Sequence, residues 1–154
     1  MEPRIDYQKA LPADALRGLY QVEHAVHKSG IEEKLLHLIK MRASQLNGCA
    51  FCLDMHSKDA RLAGETEQRL YALNAWRETP FFTDRERAAL EWTEAVTQIS
   101  MDHAPDDVYE RARQFFNEAE FGALTMAAVM INNWNRIAIS FRAVPGSYQP
   151  SASK

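Results

Sequence analysis

The most informative stretch of the chain, residues 40–65, reads KMRASQLNGCAFCLDMHSKDARLAGE. Asn47 and Gly48 interrupt a helical pattern there, because this pair favours a turn and Gly readily follows the last residue of a helix. The break predicts that a new helix opens near Cys49. On that helix Cys49 and Cys52 stand at i,i+3 and Cys52 and His56 at i,i+4, so the three side chains lie along one face.

These residue types at this spacing favour thiol redox chemistry. The start of a helix carries unpaired N–H groups and a partial positive charge, which lower the pKa of a nearby thiol. We expect His56, one turn after Cys52, to lie within hydrogen-bond reach of that thiol and to take its proton. A second thiol three residues away can condense with a sulfenic acid and so form a disulfide before further oxidation.

Other interpretations of the cysteine pair stay open at this point. Free cysteines are often buried packing residues. A zinc site usually has four ligands, and this motif offers two Cys and one His. A purely structural disulfide is unusual where thiols are kept reduced. The joint spacing C-x-x-C-x-x-x-H favours the redox interpretation over these, and the absence of a preceding strand pattern argues against a thioredoxin-like setting.

The composition indicates a single globular domain that spans residues 1–154. Of these 154 residues, 46% are hydrophobic and 25% charged, which is enough apolar material for a core that needs no disulfide framework. Six Gly and six Pro are few for a many-stranded β protein. The net charge of −3 gives no electrostatic reason to expect nucleic acid or an anionic membrane as a partner.

Apolar periodicity predicts an all-α fold, a helical bundle of about six to seven helices. Thr83 and Glu86 form a capping-box pattern at one helix start, and Pro105 suits the first position of another helix. The last helix is apolar on most sides, so we expect it to be buried centrally. The predicted helices cover residues 13–28, 31–46, 49–64, 66–76, about 84–99, 105–119 and 121–141.

The two ends of the chain and its apolar runs suggest where the protein is found. The first residues carry acids and prolines where a signal peptide would need an apolar core. The longest apolar stretch, residues 121–131, is too short for a membrane span. We therefore expect a cytoplasmic protein. The polar C-terminal segment, residues 145–154, is expected to pack on a neighbouring subunit.

Residues 40–65, with RLYAL at 69–73 and WRETPFFTDRERAAL at 76–90, resemble the alkylhydroperoxidase D-like branch of the carboxymuconolactone decarboxylase family. The resemblance covers about residues 35–95. It implies an all-helical subunit that forms trimers or hexamers, and a peroxidase that a dithiol or thioredoxin-like donor reduces again. By position, it implies that Cys52 attacks the peroxide, that Cys49 is the resolving thiol and that His56 is the base beside Cys52.

One position departs from the pattern of that branch. Its peroxidase members have a glutamate twelve residues before the first cysteine, which relays a proton to the histidine; His37 stands there in this chain. A histidine can pass protons near neutral pH but cannot be a permanent anion. Either His37 replaces the relay with a different pH dependence, or the peroxidase activity is weak, or His37 is an incidental helix residue flanked by leucines. Glu33, one turn earlier, is a candidate to orient it.

The first hypothesis is therefore a peroxidase that acts on small hydroperoxides, with Cys52, Cys49, His56 and His37 as its candidate catalytic residues and with no cofactor or metal. A lyase of the carboxymuconolactone decarboxylase type is a second hypothesis, although that chemistry needs acid–base groups rather than two thiols. A third is a non-catalytic oligomeric protein that senses redox state or binds a ligand.

Overall fold

A computed structural model of the chain describes residues 1–151, in which nine α-helices and one 3₁₀-helix are present and no β-strand. The all-α prediction is confirmed. The α-helices are α1 (Tyr7–Ala10), α2 (Ala13–His27), α3 (Glu33–Asn47), α4 (Ala50–Leu62), α5 (Glu67–Ala72), α6 (Asp84–Thr97), α7 (Ile99–Asp102), α8 (Asp106–Arg113) and α9 (Glu118–Phe141), and the 3₁₀-helix is Leu73–Glu78.

The helices differ from the sequence prediction in number and at one boundary. The four-residue helices α1 and α7 are absent from the prediction because one turn is too short to show helical periodicity. The prediction extends α8 to residue 119, whereas α8 ends at Arg113. The reason is a second capping box, in which Asn117 accepts from the backbone of Glu120 and opens α9 at Glu118. Pro105 precedes α8 as its N-cap rather than occupying its first position.

Local backbone chemistry sets the start of α4. Gly48 ends α3 with φ of 67°, a left-handed conformation that glycine adopts without steric cost. Cys49 is then the N-cap of α4, as expected from the sequence. The predicted capping box of Thr83 and Glu86 is likewise present at the start of α6.

Helix α3 occupies the centre of the bundle. It packs against α4, α6 and α9, and its side chains enter all three clusters of the core, with Leu36 in one, Leu38 in another and Ala43 in the cluster that holds both cysteines. The expectation of a centrally buried last helix is only partly met, because α9 buries one face and exposes Met126, Val129 and Ile139. α9 is longer and more apolar than α3, so composition alone does not show that α3 takes the central place.

Segments near both ends of the described chain are hydrogen-bonded to helices of the bundle. Near the N-terminus, the backbone N–H of Arg4 donates to the carbonyl of Phe141 at 3.0 Å. In the C-terminal segment, Gly146 N–H donates to Asp54 Oδ2 at 3.0 Å, and Lys58 Nζ donates to the carbonyl of Tyr148 at 3.0 Å. These partners belong to α4 of the same chain. Packing of the segment on a neighbouring subunit stays a prediction, and residues 152–154 lie outside the described part.

Within residues 1–151, no helix combines the length and the apolar character that crossing a membrane requires.

Candidate active site

The two thiols lie at the first turn of α4. Cys49 Sγ accepts a hydrogen bond from the backbone N–H of Cys52 at 3.4 Å, so the sulfur takes the place that an oxygen has in an ordinary N-cap. Both cysteines are free and 1% exposed. The structure thus brings the predicted pair together at a helix start, with sulfur in the positive end of the helix dipole.

The two thiols titrate as a pair, and Cys49 is the more acidic member. A hydrogen bond from the Cys52 thiol and one from the Cys52 backbone lower the pKa of Cys49, against the opposing effect of burial. The pKa of Cys52 is raised, first by its hydrogen bond to Cys49 and then by burial. In this arrangement Cys52 keeps its proton while Cys49 is the first to ionise.

Asn135 of α9 affects the titration of both thiols, and it was not predicted from the sequence. This side chain is fully buried; it donates to Ser44 Oγ at 3.0 Å and accepts from Asn47 Nδ2 at 2.8 Å. After the effects of the thiols on each other and of burial, a hydrogen bond from Asn135 also lowers the pKa of both cysteines. The signal in the sequence was a pair of asparagines, Asn132 and Asn135, on the buried face of an otherwise apolar helix.

An apolar cavity of about 280 Å³ reaches Cys52. Its walls come from five separate parts of the chain, because the N-terminal residues, α2, α4, α9 and the C-terminal segment converge there. Half of the lining side chains are aromatic, namely Tyr7, Tyr20, Phe51, Trp134 and Tyr148. A small organic molecule can approach the sulfur in these surroundings, where water finds few polar partners.

A second cavity, of about 420 Å³, lies beside the first and is polar. Tyr148 lines both cavities and therefore forms part of the wall between them. The polar cavity collects charged and titratable side chains from three helices: His27 of α2, Glu33, His37 and Lys40 of α3, and His56 and Asp59 of α4.

His56 faces the polar cavity rather than the cysteine. The predicted hydrogen bond between His56 and Cys52 is absent from the described residues, because the two side chains, one turn apart, line different cavities. His56 is 7% exposed and its Nδ1 has no hydrogen-bond partner. Asp59 Oδ2 lies 3.7 Å from that nitrogen, close enough for an ion pair when the imidazole is protonated. Burial lowers the pKa of His56.

His37 lies in the same cavity as His56 and is 5% exposed. Burial, then the charge of Lys40 and the proximity of His56, lower the pKa of His37 to about 4. Its Nε2 is 3.8 Å from Glu33 Oε1, and its Nδ1 has no hydrogen-bond partner. His37 is therefore neutral at neutral pH and supplies neither a positive nor a negative charge to His56.

Lys40 is a buried cation that the sequence analysis did not select. It forms an ion pair with Glu23 and lies 2.8 Å from His27 Nε2. Burial acts to raise the pKa of Glu23, but the hydrogen bond with His27 and the charge and hydrogen bond of Lys40 lower it to about 2. Glu23 and Lys40 thus neutralise each other at the edge of the cavity.

In the described part of the chain, no group of three or more His, Cys, Asp or Glu side chains is arranged to hold a metal ion.

Comparison with known proteins identifies close relatives over almost the whole chain. The family model for the carboxymuconolactone decarboxylase family matches residues 13–95. The chain is 42% identical over 140 residues to the uncharacterized protein YdfG of Bacillus subtilis (strain 168), a match that covers 91% of this chain and 95% of YdfG.

Two solved structures have a fold similar to that of this chain. ATU0492 from Agrobacterium tumefaciens, a protein of unknown function described as a candidate antioxidant defence protein AhpD, is 44% identical with a TM-score of 0.90, over 96% of this chain and all of that one. An uncharacterized peroxidase-related protein from Ralstonia eutropha JMP134, described as an alkylhydroperoxidase AhpD core, is 18% identical with a TM-score of 0.79, over 94% of this chain and 77% of that one. The second likeness is one of fold alone.

Proposed function

Because the chain belongs to the carboxymuconolactone decarboxylase family, in its alkylhydroperoxidase D-like branch, we propose that it is a thiol peroxidase that reduces small hydroperoxides through a Cys49–Cys52 disulfide. One observation carries the proposal: a buried pair of free thiols stands at the start of α4, and one of them, Cys52, opens onto an apolar cavity. Cys52 is therefore the thiol that a hydroperoxide can reach.

The first step oxidises Cys52. Its proton passes to His56, one turn further along α4, through an intervening water, because the two side chains line separate cavities and do not hydrogen-bond directly. The thiolate then attacks the outer oxygen of R–O–O–H. The O–O bond breaks, Cys52 becomes a sulfenic acid, and RO⁻ leaves with the electron pair and takes up a proton to become ROH.

The second step closes the disulfide. Cys49, the more acidic thiol because the Cys52 side chain and then the Cys52 backbone N–H bond to it, attacks the sulfenic sulfur as a thiolate and expels hydroxide, which a proton converts to water. The two thiols have then supplied the two electrons that reduce the peroxide. A dithiol donor restores both thiols by exchange and becomes a disulfide itself.

The lining of the cavity favours an organic hydroperoxide over hydrogen peroxide. Side chains such as Tyr20, Phe51 and Trp134 offer apolar surface to a hydrocarbon group and little to a small polar molecule. We expect kcat/KM for an arylalkyl hydroperoxide to exceed that for hydrogen peroxide by about tenfold or more, as about 1.4 kcal/mol of apolar burial would give.

Thiol counting and turnover test the function. One equivalent of hydroperoxide should remove two thiols per subunit of the wild type, and turnover with a dithiol donor should be lost in Cys52→Ser. Cys49→Ser should stop at a sulfenic acid. If no thiols are lost, the peroxidase function is wrong, and if Cys52→Ser turns over normally, the nucleophile is wrong. Thiol loss without turnover would favour a redox sensor.

His37→Glu tests the unusual position in the polar cavity. A carboxylate there would lie near Lys40 and His56, which favour its ionised form, and it would restore the acid that related peroxidases carry. We expect this variant to consume peroxide faster than the wild type. An unchanged or lower rate would show that position 37 does not limit the reaction.

The proposal also covers the compartment, the assembly and the electron donor of the enzyme. We propose a cytoplasmic homo-oligomer, a trimer or hexamer, that receives electrons from a dithiol or thioredoxin-like reductant. The support is the family, together with two free thiols that must return to the reduced state after each turnover.

A further inference from the structure

We propose that Asp59, held in place by Tyr148 of the C-terminal segment, is the carboxylate that positions His56 and stabilises its protonated form. Asp59 and Tyr148 would then be positioning residues that act through His56. The inference rests on the proposed peroxidase function for its role in turnover, although the arrangement of the three side chains can be tested without any turnover.

The geometry uses both oxygens of Asp59. Oδ2 lies 3.7 Å from Nδ1 of His56, one turn earlier on α4. Oδ1 accepts a hydrogen bond of 2.6 Å from the hydroxyl of Tyr148. The carboxylate is thus fixed on one side while its other oxygen is directed toward a buried nitrogen that has no other partner. An imidazolium at this position would gain a charge-assisted contact that a neutral imidazole does not need.

The surroundings of His56 show why it needs an anion. Burial and the positive charge of Lys40 on α3 both disfavour a proton on His56. His37, also on α3, is neutral and offers no negative charge. Of the acids that act in the opposite direction, Glu23 of α2 is already paired with Lys40, which leaves Asp59.

The other carboxylates are engaged or distant from His56. Glu33 faces His37, and its side chain is 63% exposed, so water screens its charge. Among residues 1–151, no Lys or Arg forms an ion pair with Asp59, and its fixed partner is the neutral hydroxyl of Tyr148. The charge of Asp59 is therefore directed at His56.

Tyr148 reaches this position because its segment is anchored along α4. Lys58 holds its carbonyl, and Asp54 holds the backbone two residues earlier. The ring of Tyr148 lines the apolar cavity beside Cys52 and also the polar cavity beside His56. The C-terminal segment thus forms part of the wall beside Cys52 and also orients Asp59 beside His56.

In the reaction the proton balance is simple. His56 accepts the proton of Cys52 through the intervening water and becomes an imidazolium, then returns a proton by the same route to RO⁻ as the O–O bond breaks. Asp59 stays ionised throughout and Tyr148 keeps its hydroxyl proton. Asp59 therefore takes the part of the acid that is missing from position 37, from a different helix.

Nuclear magnetic resonance titration of His56, assigned with His56→Gln, measures the arrangement in the resting protein. We expect Asp59→Asn to lower the pKa of His56 by about one unit or more, because an opposite charge this close favours the charged form. Tyr148→Phe should lower it less. In the Asp59→Asn background, Tyr148→Phe should add nothing, because Tyr148 acts through Asp59.

Two matched variants provide controls. Asp54→Asn removes the charge of the other acid of α4 but keeps an oxygen that can accept from the Gly146 N–H, and Tyr71→Phe removes an exposed hydroxyl that contacts Glu67. Neither should change the titration of His56. An unchanged pKa in Asp59→Asn, or an equal fall in Asp54→Asn, would overturn the inference.

Peroxide consumption as a function of pH separates the inference from the proposed function. Asp59→Asn should lose about tenfold or more in rate, because His56 becomes a weaker base, and the acid limb of its profile should move to lower pH, because His56 stays unprotonated to a lower pH. A uniform loss at every pH would indicate a merely structural role for Asp59. If the wild type consumes no peroxide while the pKa of His56 falls in Asp59→Asn as expected, the proposed peroxidase function is wrong. The interaction between Asp59 and His56 is then still supported.

Discussion

At the residue scale, Asn135 shows how a neutral side chain can tune a thiol. Its amide is fully buried and bonds to Ser44 and Asn47, and its side chain lowers the pKa of both thiols. A buried amide without partners would cost about 1–3 kcal/mol, so these contacts hold the group in one orientation. The donor is thereby presented to the thiols before the reaction begins.

We predict that Asn135→Leu raises the pKa of the first thiol ionisation, because the amide hydrogen bond is lost and leucine cannot donate. The free energy of unfolding should also fall by about 1–3 kcal/mol, since Ser44 and Asn47 lose a buried partner. Thiolate ultraviolet absorbance against pH and denaturant unfolding measure the two effects.

Asn132→Leu is the matched control for this prediction. Asn132 bonds to Asn47 and Thr97 in the same buried network and lies one turn before Asn135 on α9. It should cost similar stability and leave the thiol titration unchanged. A thiol pKa that moves equally in both variants would contradict the role assigned to Asn135.

A second residue-scale prediction concerns stability against pH. The pKa of His37 falls from an ordinary value of 6.5 to about 4 in the folded protein. Between these values the unfolded chain binds more protons, so stability is lost as pH falls from 6.5 toward 4, by an amount on the order of 3 kcal/mol. His37→Gln should flatten the free energy of unfolding over this range.

Urea unfolding at several pH values measures that slope. His24→Gln is the control, because His24 is exposed on α2. The slope that remains in His37→Gln should come from His56, whose pKa burial also lowers. Equal slopes in the wild type and in His37→Gln would show that His37 titrates normally in the folded state.

At the element scale, the turn between α3 and α4 decides where the thiols stand. Gly48 adopts φ of 67°, and the next residue, Cys49, caps α4. No atom lies within 4 Å of where a Cβ on Gly48 would stand, so a side chain there meets no clash. The requirement for glycine at this position comes from the backbone conformation alone.

We predict that Gly48→Ala lowers the free energy of unfolding by about 1 kcal/mol, because alanine is strained in the left-handed region. Gly122→Ala in α9 is the control, since it also has open space around its Cα but has an ordinary helical backbone. That variant should raise stability by about 0.5–1 kcal/mol. Denaturant unfolding would contradict the argument if the two changes had the same sign.

At the scale of the whole molecule, one face of α9 lies outside the core. Met126 and Val129, at i,i+3, are 41% and 43% exposed, and Ile139 further along the helix is 46% exposed. Such a face is typical of a subunit interface. It agrees with the proposed homo-oligomer and marks a surface where contact between subunits can be tested.

We predict that Val129→Glu weakens the assembly, because a charge in an apolar interface is costly to bury. Light scattering after size-exclusion chromatography should show smaller particles at equal concentration. Gln68→Glu, which introduces the same charge at an exposed position of α5, should leave the mass unchanged. A wild type that is already monomeric would contradict the proposed assembly.

The sequence by itself determined those features that depend only on residues within one or two helical turns of each other. Helical periodicity predicts the seven longer helical segments, the Thr83 capping box predicts the start of α6, and Asn47-Gly48 predicts the break before Cys49. The alignment of Cys49, Cys52 and His56 on one helix follows from their spacing alone, since α-helix geometry is the same in every protein.

Only the tertiary structure decided which cavity each side chain of the site faces and whether each titratable side chain is charged. Cys52 and His56 line separate cavities, although one helical turn predicts a contact between them. Tyr148 and Asp59 are 89 positions apart in the chain, so no local sequence pattern predicts the hydrogen bond between them. Burial and long-range pairing set the pKa of each group, and both depend on the packing of the whole chain rather than on its neighbours in sequence.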